Sequence, residues 1–391
     1  MPAGKNMQRY PTPLLVLARP WEDDVRITRP YSLCVTAVAA AWVIATAPAI
    51  AGIHSRQAFA LFRAPGAHRR AVPLHGVSPP GTQFACKPPN PYTCTVQSNP
   101  TIYVDFWQVK ATDKYSVEPY VASLVENITD TGIGPRWLDI LSQYGVTEPS
   151  PNPLCPKAFG NFACFWDSPD LIGVPTKAAV AKEAIAAANQ FGFCTPSGVC
   201  NNANANIIII SENGHYDTPD FPEEYCGYHS FVPANPAAPA AGGIVYSYVP
   251  YIPGYEKTAA DGTKLSVCYT GSVNSPGTLF DPPQGNGALD GMGIVIGHEI
   301  AESQTDPILF DMGGDVIELG WINPDEENDA DQNEIADGCS GFELEDIFGA
   351  PFPSGGANYY FAAQTLYSNA DHGPFEKPGV NGDCILATGS F

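Results

Sequence analysis

Apolar residues along this chain follow two periods, and turn residues separate the runs. Residues 101–107, Thr-Ile-Tyr-Val-Asp-Phe-Trp, are aromatic and β-branched, the composition of a strand. Residues 207–210, four isoleucines, and residues 243–249 are short apolar runs of the kind that strands buried on both faces show. Over residues 117–128 and 137–144 the apolar positions recur every three or four residues, which predicts helices. Residues 176–191 predict an alanine-rich helix with Pro175 near its start and Gly192 at its end. A further helical pattern runs through Leu289, Met292, Val295, Ile296 and Ile300, with Asp290 or Asn286 as the expected cap. Asp306-Pro307 ends it, because the residue before a proline avoids the helical region. A terminal strand pair is expected around residues 359–366.

Residues 52–100 show no apolar period and are rich in Pro, Gly and Arg, so they read as a pro-segment or loose arm ahead of a domain over 101–391. Residues 33–51 are the only long apolar run. Arg26 and Arg29 precede it and the small-residue series 45–51 closes it, the build of a secretory signal over 1–51 cut after Ala49 or Ala51. An uncleaved anchor or a later start is the alternative; with cleavage, no stable membrane insertion is expected. Strands and helices that lead directly into a polar-faced helix predict an α+β fold with a mixed sheet.

That last helix carries the candidate chemistry. His298 and Glu302 are four apart and share one face one turn from each other, with Glu299 beside them. The sequence is thus HExxE, the metallopeptidase pattern HExxH with its second imidazole replaced by a carboxylate, which is still a zinc ligand through oxygen. Glu299 takes the position of the general base in that pattern. An amphipathic helix with His and Glu on a solvated face would spell the same letters.

Charge and cysteines sharpen the picture. The net charge is −22; residues 1–51 contribute +2, so the remainder carries −24. Nucleic acid and anionic membrane surfaces are therefore poor partners. No Lys or Arg lies between Lys264 and Lys377, a stretch that holds the HExxE helix and the acidic run 325–334. Carboxylates without cationic neighbours repel one another and gain affinity for protons or cations. The acidic loop offers oxygen ligands suited to Ca2+, but Asp329, Asp331 and Asn333 lack the glycine and terminal glutamate of an EF-hand. Of 11 cysteines, ten lie beyond the signal, an even set that predicts five disulfides in a secreted, extracellular protein. Proximity suggests Cys86 with Cys94, Cys155 with Cys164 and Cys194 with Cys200, leaving Cys226 with Cys268 and Cys339 with Cys384. No CxxC pair supports a thiolate zinc site.

Cys226-Gly227-Tyr228-His229, the HExxE block, and Glu334-Ile335-Ala336-Asp337-Gly338-Cys339 occur in one order along the chain. Together with Gln364-Thr365-Leu366-Tyr367-Ser368-Asn369 they resemble the successive blocks of the phosphate-induced, Exordium-like family of secreted proteins, in its bacterial branch, over residues 100–391. The resemblance implies secretion and a zincin-like, metallopeptidase-like site. It implies no substrate, since the family's biochemical activity is unsettled. The acidic insertion before Glu334 and the tail ending at Cys384 depart from the family.

A zinc ion on His298 and Glu302 requires a third protein ligand and an open position. Glu334 is the first choice, because residues 333–337 resemble the NExxSD segment of thermolysin-like peptidases; Asp337 is then the partner that orients His298. His229 is the second choice, or else a group that stabilises an oxyanion. Two carboxylate ligands leave the ion less electrophilic, so slow hydrolysis favoured at mildly acidic pH is expected. The leading reading is a zinc-dependent hydrolase acting on peptide or cell-wall material. The alternative is a non-catalytic extracellular or cell-wall-associated binding protein with a structural metal or carboxylate cluster.

Overall fold

The computed structural model describes residues 60–62, 84–89, 91–110, 113–129, 137–147, 158–159, 163–169, 174–216, 221, 225–253, 255–258, 264–266, 268, 289–312, 315–323, 334–339, 344–351, 358–364, 366–368 and 383–385. Every described residue lies within the unit Ile53–Phe391. The expected signal, Asn286, Cys155 and acidic residues 325–333 fall outside the described residues.

Along the chain come β1 (Ala60–Phe62), β2 (Thr101–Trp107), α1 (Val117–Thr129), β3 (Ala158–Phe159), β4 (Ala163–Ser168), α2 (Lys177–Gln190), β5 (Asn202–Ser211), β6 (Gly227–Pro233) and β7 (Gly243–Val249). After β8 (Glu256–Thr258) and β9 (Lys264–Ser266) comes α3 (Asp290–Thr305). The last six strands are β10 (Leu309–Met312), β11 (Asp315–Glu318), β12 (Leu344–Pro351), β13 (Asn358–Gln364), β14 (Leu366–Ser368) and β15 (Asp383–Ile385). The strands from β8 to β15 pair consecutively into four antiparallel ribbons.

The first seven strands form one mixed sheet in the order β1-β6-β7-β5-β2-β4-β3. Its centre, β7-β5-β2-β4, is parallel, and the flanking strands are antiparallel. Helices plus a mixed sheet agree with the α+β expectation. The parallel centre explains the isoleucine run, because helices cover both faces of such a sheet and no strand face reaches water. Successive side chains point to opposite faces. On one face, Asn206 of β5 donates to Ser303 Oγ of α3 at 2.7 Å. On the other, Lys177 of α2 lies 5.9 Å from the Tyr228 ring and Tyr103 packs against Phe191 at 4.8 Å. The core therefore sits in two layers, one under α3 and one under α2.

Several local expectations change. Thr176 is the N-cap of α2, its side chain accepting from the Ala179 N–H. In α3 the cap is Leu289 with no side-chain bond, and Asp290 is the first helical residue. The 137–144 helix tightens after Leu138 into a 3-10 segment, Asp139–Tyr144, ended by Gly145 at φ 89°. The arm is anchored at several points: β1 extends the sheet along β6, Phe84 is buried, and Ala85 and Ile322 exchange backbone bonds of 2.8 and 3.1 Å.

Cys86–Cys94, Cys194–Cys200 and Cys226–Cys268 are bonded as expected, and Cys339 is also in a disulfide. Among the described residues no helix is long and apolar enough to cross a membrane.

Candidate metal centre

Every residue from 291 to 310 is buried, so α3 runs through the interior and has no solvated face. A helix hydrophobic all round belongs there, but this one also carries His298, Glu299, Glu302, Ser303, Gln304, Thr305 and Asp306, each at most 1% exposed. A solvated polar stripe is thereby excluded. Neighbouring elements satisfy part of this polarity. Ser303 Oγ donates to the Glu299 carbonyl, Thr305 Oγ1 donates to the Ala301 carbonyl at 2.9 Å, and the Trp321 N–H donates to the Thr305 carbonyl at 3.1 Å.

Close approach brings the histidine of the CGYH block to this helix. At Gly227 a Cβ would lie 2.6 Å from Val295 Cγ1 and 2.9 Å from Glu299 Oε1. Only glycine lets β6 and α3 come this near. Two residues on, His229 points to the same face and reaches three carboxylates. Its Nδ1 lies 3.6 Å from Glu299 Oε2 and 3.7 Å from Glu302 Oε2, and its Nε2 lies 3.3 Å from Glu334 Oε1. Nε2 also stands 3.2 Å from the Asp306 carbonyl. A carbonyl only accepts, so the ring hydrogen belongs on Nε2, and Nδ1 is left facing two carboxylate oxygens across gaps too wide for a hydrogen bond.

Around His298 the geometry is tighter. Its Nε2 is 2.9 Å from Glu302 Oε1 and 3.5 Å from Asp337 Oδ1, while the Asp337 N–H donates to the same Glu302 oxygen at 3.1 Å. Asp337 opens the short 3-10 segment Asp337–Cys339. Glu334 is placed by the bridge it forms with Ile322.

Electrostatics are severe. Burial first, then the Glu302 charge, pushes Glu299 up to about 8, against the opposing pull of His229. Burial likewise raises Glu302 to about 8, opposed by His229 and the Asp337 N–H. Glu334 rises well above the usual carboxylate range through burial and then the Glu302 charge, and Asp306 through burial and then the Glu318 charge. Burial alone would favour neutral His229, but Glu299 and Glu302 outweigh it and raise its affinity for a proton.

Such a cluster needs positive charge, and the sequence supplies no Lys or Arg from 265 to 376. The buried His and Glu groups could bind a metal ion. Among the described residues two trios bring one donor atom each within 4.8 Å: His229, Glu302 and Glu334, and His298, Glu302 and Asp337. Around a tetrahedral zinc with donors at about 2.0–2.2 Å, donor atoms stand about 3.3–3.6 Å apart. The separations found here, 2.9–3.7 Å, bracket that value. In addition, neither oxygen of Glu334 or Glu299 has a hydrogen-bond partner, though both side chains are fully buried. The donor set fits a divalent cation.

All six residues singled out in the sequence converge, but their grouping differs. Glu334 stands against His229 rather than completing a trio with His298, and Asp337 offers His298 a carboxylate oxygen directly. For an oxyanion role, His229 would have to turn a free hydrogen toward an open cleft; its ring is enclosed by carboxylates instead. Strand β7 hydrogen-bonds to β5 on one side and β6 on the other and has no free edge to offer an extended peptide. Asp306 and Glu318, which add to the buried charge, were not singled out; Asp306 reads in sequence only as a helix stop.

The chain matches no protein-family profile, no curated protein and no solved structure.

Proposed function

We propose that this chain is a secreted, divalent-metal-dependent hydrolase, peptidase-like in its chemistry, with a zincin-like site of the Exordium-like family. Zinc is the ion of choice for the donor set His298, Glu302 and Asp337, which mixes imidazole with carboxylate oxygen. The observation that carries the reading is Glu299: it adjoins those ligands in sequence, and its carboxylate is fully buried with neither oxygen hydrogen-bonded, the placement of a general base beside the ion.

When bound, the ion would polarise a substrate carbonyl and acidify water. Glu299 takes the proton from the attacking water and later returns it to the leaving amine. The Asp337 N–H steadies Glu302 through Oε1, and burial keeps bulk water from the charges. Peptide is the favoured substrate class and cell-wall material the second. Three disulfides seen among the described residues support an extracellular setting.

One observation favours the non-catalytic alternative: His298, Glu299, Glu302 and Glu334 are all at most 1% exposed, as befits a closed structural metal site. Peptide-library cleavage by the zinc-loaded protein separates the two. Glu299→Gln should lower turnover by about 10²–10⁴-fold with metal content unchanged. Equal turnover by that variant excludes Glu299 as the base, and absence of turnover in the wild type leaves the structural reading.

A further inference from the structure

The two trios share one residue, and the way they share it points beyond a single ion. Glu302 Oε1 addresses His298 Nε2 at 2.9 Å and accepts from the Asp337 N–H, while Oε2 faces His229 Nδ1 at 3.7 Å, and Glu302 belongs both to the trio with His298 and Asp337 and to the trio with His229 and Glu334. A carboxylate whose two oxygens face two different imidazole–carboxylate pairs is built like a bridging ligand. We propose that this centre holds two divalent cations, one on His298, Glu302 and Asp337, the other on His229, Glu302 and Glu334. The proposal rests on the metal-dependent reading above and adds a second site to it.

Three observations carry it. The first is charge. Glu299, Glu302, Glu334 and Asp337 gather around two imidazoles, and no Lys or Arg lies in the sequence from 265 to 376. Carboxylates this close in a dry interior are neutralised by protons or by cations, and once ionised they exceed what one divalent ion balances. The second is the state of His229. Its Nε2 stands 3.2 Å from the Asp306 carbonyl, the arrangement that fixes the opposite nitrogen of a metal-bound imidazole as the donor. That opposite nitrogen, Nδ1, has no hydrogen-bond partner although the ring is fully buried. The third is Glu334, whose two carboxylate oxygens are buried without a hydrogen-bond partner, the nearer 3.3 Å from Nε2 of the same ring. Across the ring Nδ1 faces the Glu299 and Glu302 oxygens, acceptor against acceptor, an arrangement that requires something positive between them.

Paired ions of this kind stand about 3.5–4 Å apart and clamp both oxygens of a reacting group. In the present chain the second ion would be held by the CGYH histidine, which gives that block a task that HExxE alone leaves unexplained. It would also explain why the last ligand position of HExxE is glutamate: an imidazole there could not supply a second donor atom to the neighbouring site.

Metal counting tests this directly. The full chain is stripped, reloaded with zinc, dialysed against metal-free buffer and measured by plasma mass spectrometry. Two ions per wild-type chain are expected, one each in His229→Ala and Asp337→Ala, and none in Glu302→Ala. Loading with Mn2+ instead should give the exchange-coupled electron paramagnetic resonance spectrum of an adjacent pair, a readout that needs no variant. One ion per wild-type chain with an uncoupled Mn2+ spectrum overturns the second site and leaves the hydrolase reading standing. No ion in the wild type overturns both.

Discussion

On the α2 face of the sheet, Asp105 of β2 and Glu183 of α2 are buried beside Ser168, whose hydroxyl donates to Glu183. On the α3 face, His229 and His298 gather Glu299, Glu302, Glu334 and Asp337. Both clusters confine carboxylates in a low-dielectric interior, and the difference lies in what can discharge them. Burial, followed by the charge and hydrogen bond of Glu183, raises Asp105 far above the ordinary range, so a single proton on Asp105 settles that cluster. On the α3 face several carboxylates converge on two histidines, and these buried groups could bind a metal ion as well as protons. A buried carboxylate beside one other is settled by a proton, whereas several gathered on histidine offer a donor set that a cation could use.

The contrast breaks most sharply at Gly227. Gly227→Ala forces its new methyl against Val295 and Glu299, so those side chains must shift or β6 and α3 must part. A stability loss of about 1–3 kcal/mol is expected from such overpacking. Zinc affinity should fall with it, while the α2 face is untouched. Denaturant unfolding together with zinc titration reads both effects, and unchanged zinc affinity would show that the contact does not set the site.

A smaller effect, opposite in sign, belongs to the proton store. Asp105 is raised in the folded state from an unfolded value of about 3.9, so between those values the native chain binds the extra proton and its stability falls as pH rises. Asp105→Asn removes that slope. The variant should match or exceed wild-type stability at pH 7 and lose its advantage below about pH 4. A marked destabilisation at pH 7 would mean that Asp105 works as a charge.

Least in size is the loss of the cap that seats Glu183. Thr176→Ala removes the bond to the Ala179 N–H and should cost about 1 kcal/mol in thermal unfolding, with zinc binding unaltered. Altered zinc binding would show that the two faces are coupled.

Much of this was legible beforehand, and the reasons are local. Residues 101–107 and 243–249 predict strands because their composition suits no solvated element, and they match β2 and β7 to the residue. The HExxE face follows from helical spacing alone. What sequence spacing could not supply is the partner that folding brings in: nothing local says that Gly227 lets His229 descend onto Glu299, or that Asp337 rather than Glu334 meets His298. Asp105, a lone acid inside an apolar strand, carried a readable signal, but its meaning depends on Glu183, 78 positions away.

Thermal unfolding of the metal-stripped protein with and without zinc, at pH 5 and pH 8, tests most directly whether a cation neutralises the α3-face cluster. With Glu299 and Glu302 raised to about 8, the stripped protein should lose stability as pH climbs from the unfolded carboxylate value of about 4.3 toward 8. Zinc competes with those protons, so it should raise the melting temperature at both pH values and more at pH 8, and it should leave Glu302→Ala unmoved. Identical melting with and without zinc at both pH values would contradict a metal centre.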